Sequence, residues 1–90
     1  MRMKLYALEI ERSEITVSGY VVAGSEKRAA IMVIDHDLAL GKQHESFSLE
    51  RIDLKIPQGR RKGLEEMLAA GSSGFARYSE PAGWSASMRW

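Results

Sequence analysis

Apolar residues recur along this 90-residue chain with two periods, and the change from one to the other separates strands from helices. In Met3 to Ile10 (MKLYALEI), Met3, Leu5 and Ala7 face one way and Tyr6, Leu8 and Ile10 the other. This predicts a strand inside a sheet with both faces covered. The polar run Glu11-Arg12-Ser13-Glu14 then folds the chain back on Ile15–Ala23 as an antiparallel hairpin, although it lacks the Asn-Gly signature of a tight turn. Within that second strand Ile15, Val17 and Gly19 alternate with Thr16 and Ser18, so one face is buried. Its end, Val21-Val22-Ala23, is continuously apolar, and there both faces are covered.

The stretch from Gly19 to Gly41 organises the rest. Gly24 bends the chain, and Ser25 caps a helix with a hydroxyl that accepts from a first-turn N–H. Glu26 lies in that turn, where the helix dipole favours a carboxylate, but Arg28 stands where Glu or Gln would complete a capping box. The run Ile31-Met32-Val33-Ile34 fits strand and helix alike. Length and the cap decide for helix, with Ala30, Val33, Ile34 and Leu38 lining one face. Gly41 stops it, and Lys42 suits the negative end of the dipole. Asp37 projects into the same apolar arc. Either the regular helix ends near His36, or Asp37 is a buried carboxylate that needs a partner. The cost of an unpaired buried charge favours an early end or an exposed last turn.

Beyond the polar connection Lys42–Glu45, FSLERIDLKI predicts a third strand. Phe47 and Leu49 share one phase and Ile52, Leu54 and Ile56 the other, with a bulge or bend at Glu50-Arg51 and an end at Pro57. Pro57-Gln58-Gly59 is a turn, and a short helix follows over Leu64–Ala70, with Leu64, Met67 and Leu68 on one face and Gly71 as its stop. Ser72-Ser73-Gly74 reads as a hinge-like link. A closing hairpin pairs Phe75–Ser79 with Trp84–Trp90 across Glu80-Pro81-Ala82-Gly83. The expected architecture is α+β: a mostly antiparallel sheet of about five strands, one main helix across it and one short helix, within a single domain over residues 1–90.

Composition narrows the function classes only a little. Thirteen basic residues against twelve acidic ones leave a net charge of +1, so bulk charge gives no argument for nucleic acid or an anionic membrane. The chain has no cysteine, which removes disulfides and thiolate chemistry. No leader peptide or membrane span is read in it, and the expected location is the cytoplasm.

Metal-ligand residue types cluster only at Asp35-His36-Asp37, with His44 further on. Neighbouring helical positions point about 100° apart, so this trio does not converge on one ion, and the i, i+4 spacing of helical metal sites is missing. No serine sits in a nucleophile-elbow context, and the glycines match no phosphate or dinucleotide fingerprint. No enzyme activity, metal or cofactor is therefore expected, and an enzyme centred on the Asp35 trio ranks last. Arg60-Arg61-Lys62 is the only concentrated charge, although Glu65 and Glu66 lie at helical spacing from Arg61 and Lys62 and offer them local partners. Arg77, Tyr78, Arg89 and Trp90 are expected on neighbouring strands. Trp84 is assigned to the core, and Trp90 equally to core or to an exposed edge that invites another strand, including one from a second copy.

The hairpin, the VVAGSEKRAA passage from strand to helix and the further antiparallel strands resemble many small phage and mobile-element proteins, including some anti-CRISPR proteins. The resemblance covers roughly residues 3–56 and transfers no site residues. It implies a stoichiometric binder that blocks a larger host complex. Such inhibitors are often strongly acidic, and this chain is neutral. The leading expectation is a non-enzymatic protein-interaction module whose partner-binding residues are Arg60, Arg61, Lys62, Arg77, Tyr78, Arg89 and Trp90. Its partner is another protein, or a second copy through a sheet edge. A nucleic-acid-binding module using the basic loop is the alternative.

Overall fold

The structure, a computed structural model, describes residues 3–11, 15–39 and 46–87, the side chains of 37–39 and 87 excepted. Strands β1 (Lys4–Glu11), β2 (Thr16–Ala23), β3 (Ser46–Arg51), β4 (Gly74–Ser79) and β5 (Gly83–Ser87) form one antiparallel sheet in the order β3-β1-β2-β4-β5. Helix α1 (Glu26–Ala39) joins β2 to β3. A 3₁₀ turn (Gln58–Arg60) and helix α2 (Leu64–Ala69) lie between β3 and β4. The α+β plan expected from the hydrophobic pattern is the one observed.

Strand alternation divides the core into two layers. On one face Tyr6, Leu8, Ile10, Val21, Ala23 and Phe75 meet Ala29 and Val33 of α1, with Phe47 and Leu49 packed alongside. The cross-strand register lines these up: Tyr6 opposes Val21, Val21 opposes Phe75, and Leu8 opposes Leu49. On the other face Leu5, Val22, Ala76 and Trp84 meet Leu64 and Leu68 of α2. Each fully buried Leu stabilises the fold by about 1.5–3 kcal/mol, so the six-residue α2 depends on this packing rather than on its own propensity.

Ser25 caps α1 as expected: its Oγ accepts from the Arg28 N–H at 3.2 Å, and its carbonyl accepts the Ala29 N–H at 3.0 Å. The helix runs on to Ala39 instead of ending near His36, while the Asp37 and Leu38 side chains lie outside the described residues. Its buried face is also rotated from the expected one. Ala29 and Val33 are buried and Met32 half-buried, whereas Ile34 is 40% exposed. The His36 ring takes part too, edge-on against Phe75 with centroids 4.7 Å apart. Ala30 and Ile34 instead sit on the flank of the helix, and Ala30 lies beside Phe47 and Leu49 of the edge strand β3.

The third strand is shorter than expected. It stops at Arg51, where the phase slip lies, and Leu54, expected on an inner face, is 75% exposed. The cause is a side chain that stands in for the ladder. Ile52 makes the last strand-like bond, donating its N–H to the Leu5 carbonyl at 2.8 Å. The Leu5 N–H, which a continuing β3 would have satisfied, donates to Asp53 Oδ1 at 3.2 Å. Asp53 is only 2% exposed and receives two further bonds from the Arg51 guanidinium, at 2.8 and 3.1 Å. Burial pushes its carboxyl pKa upward. The Arg51 hydrogen bonds and the Leu5 N–H outweigh that, and the carboxyl titrates below its ordinary value. From here the chain leaves the sheet edge and crosses the second face.

Candidate protein-interaction surface

The crossing segment ends by docking against the terminal hairpin. Lys62 accepts the Trp84 backbone N–H through its carbonyl at 2.8 Å, and Arg60 accepts the indole Nε1–H through its own at 2.8 Å. Glycine is required on both sides of this contact. Gly63 (φ +80°) brings its Cα so close that a Cβ would stand 2.7 Å from the Trp84 carbonyl oxygen, and a Cβ on Gly83 (φ +87°) would run into the Lys62 carbonyl. Trp84 is thereby buried, as expected, with Tyr20 and Tyr78 edge-on to its ring at 4.8 and 5.3 Å.

This docking separates the residues expected to form a basic surface. Arg61 turns inward and ties the crossing segment together, donating to the Asp53 and Ile56 carbonyls at 2.9 and 3.2 Å and to Glu65 at 2.8 Å. The Arg61–Glu65 pair is the helical-spacing partnership read from the sequence. Arg60 lies over the Tyr78 ring at 5.4 Å, and Tyr78 donates its hydroxyl to Glu80 at 3.1 Å. Partial burial, then the Glu80 carboxylate, raises the Tyr78 pKa. Lys62 is exposed, and its carbonyl is already engaged. Arg77 is exposed on the opposite side of β4 from Tyr78, across from Ser85. Of the described members of the expected set only Arg60 and Tyr78 come together; Arg89 and Trp90 lie outside the described residues.

The trio at 35–37 does not gather into a site. Asp35 is exposed and His36 packs against Phe75, while the Asp37 side chain and His44 lie outside the described residues. Among the described residues no three His, Asp or Glu side chains are placed to hold a metal. No helix among them is long and apolar enough to cross a membrane.

A concave surface was missed from the sequence. A groove of about 520 Å³ opens between α2, the 70–74 connection and the hairpin, with Val22, Met67, Phe75, Trp84 and Ala86 among its lining and Glu66 as the one charged residue among the described residues that line it. The signal for it is the run Ala69-Ala70-Gly71-Ser72-Ser73-Gly74. Side chains this small leave the sheet beside them uncovered, and they read equally well as a flexible link. The groove adjoins an edge. The Trp84 N–H points away from β4 to reach Lys62, and strand alternation turns the backbone N–H and C=O of Ala86 the same way. No protein-family model, no curated protein and no solved structure matches the chain.

Proposed function

We propose that this chain is a small non-enzymatic binding module that seats a segment of a partner protein in the groove between α2 and the β4–β5 hairpin. The observation that carries the proposal is the apolar groove of about 520 Å³ beside the outer edge of β5. Ligand sites are concave and mostly apolar with a few polar groups, and sheet edges accept extended segments. The buried Trp84 and its edge-on tyrosines give the wall a rigid aromatic base. Stoichiometric inhibition of a larger complex in the cytoplasm is the biological form the proposal takes. A nucleic-acid role draws less support, because Arg61 is spent on internal bonds and Arg77 faces away from Arg60.

The test is affinity capture with the wild type and with Ala86→Arg, a substitution at an exposed lining position. A protein retained by the wild type and lost by a variant of unchanged melting temperature is the expected result. Identical captured sets contradict the proposal.

A further inference from the structure

The partner segment that fits this groove has a definable chemistry. We propose that it carries a large apolar side chain and, two residues away, a lysine or arginine on the same face of the extended chain, the apolar group seated over Val22, Met67 and Trp84 and the cation against Glu66. This rests on the binding role above and adds the identity of the occupant.

Size sets the first term. About 520 Å³ lies toward the lower end of the range for ligand sites and admits one or two side chains rather than a folded element. Charge sets the second. α2 carries two carboxylates in its first turn, and they are used differently. Glu65 is held by Arg61 at 2.8 Å, whereas Glu66 lines the groove and has no ion-pair partner among the described residues. An exposed carboxylate at the rim of an apolar groove attracts a cation brought beside it and repels an anion. The backbone sets the third. Ala86 presents its N–H and C=O along the outer edge of β5 beside the groove, which suits an extended chain segment over a free small molecule.

The probes are the capped tripeptides acetyl-Trp-Gly-Lys-amide and acetyl-Trp-Gly-Glu-amide, titrated into the full 90-residue chain at low salt with amide and indole NMR shifts as the readout. The lysine peptide should shift Met67, Gly74 and Ala86 and bind about two- to fivefold more tightly than the glutamate peptide, the range a partly exposed ion pair gives. Glu66→Gln should remove the preference while leaving the fold unchanged by circular dichroism. Equal affinities, or a preference for the glutamate peptide, overturn the proposed occupant and leave the groove as a binding site. Shifts confined to Arg60 and Tyr78 also overturn it. No shift with either peptide overturns both the occupant and the binding role. If the same resonances move with protein concentration alone, a second copy is the occupant and the proposal is wrong.

Discussion

The two faces of the sheet are covered in different ways. On one, α1 supplies a regular cover whose backbone bonds are internal, and apolar contacts through Ala29 and Val33 attach it. On the other, residues 52–73 supply a mostly irregular cover whose only regular pieces are a 3₁₀ turn and the six-residue α2. Irregular chain cannot satisfy its own backbone groups, so it is tied down by side chains and by the sheet itself. Asp53 takes the Leu5 N–H, Arg61 takes two carbonyls, and Trp84 binds the Lys62 and Arg60 carbonyls. A helix covers a sheet with a stripe of apolar residues; a loop needs polar anchors at particular positions.

If the second cover completes a true core layer, truncating a residue buried on that face must cost as much as truncating one buried on the first face. Leu68→Ala and Leu8→Ala are each expected to lose about 3 kcal/mol in denaturant unfolding. A loss under about 1 kcal/mol for Leu68→Ala alone would make the second face a loosely attached flap.

The anchors come next in size. Asp53→Ala strands the Leu5 N–H and should cost about 2–3 kcal/mol, and no buried charged side chain on the α1 face is found among the described residues. Its pH dependence has a definite sign. The folded-state carboxyl titrates below its ordinary value, so its contribution is complete above the unfolded pKa of about 3.9 and is lost as pH falls through the folded value. The stability gap between wild type and Asp53→Ala should therefore be level from neutral pH to about pH 5 and narrow below about pH 4. A gap that widens on acidification contradicts the assignment. Gly83→Ala, which forces a side chain into the left-handed region against Lys62, should cost at least about 1–2 kcal/mol. Leu54→Ser at the exposed tip should change stability by less than about 0.5 kcal/mol.

This contrast also explains what was legible in the sequence. The phases of β1 and of β2 from Val17 on, the Ser25 cap and the terminal hairpin as far as Ser87 follow from periodicity and local chemistry and appear where the pattern put them. Ile15, expected on the buried face of the second strand, instead precedes β2 and is 61% exposed. The second cover obeys no period. Asp53 sits in a run, IDLKI, whose alternation makes Leu54 look inward, and nothing local shows that a carboxylate replaces a missing strand bond. Arg61 reads as one of three like charges, because the carbonyls it holds come from chain folded back upon itself. The groove is an absence of bulk across residues 69–74, which a pattern of apolar positions does not register. The rotation of α1 toward Ala29 depends on how the helix crosses the sheet, a tertiary property.

Native-state hydrogen exchange at Trp84 tests the second cover most directly. Its backbone N–H and its indole N–H both bond to the crossing segment, at Lys62 and Arg60. If that segment is a fixed layer and one wall of the groove, both should exchange as slowly as the Val21 amide in the sheet centre. Exchange of both within seconds while Val21 stays protected would contradict it.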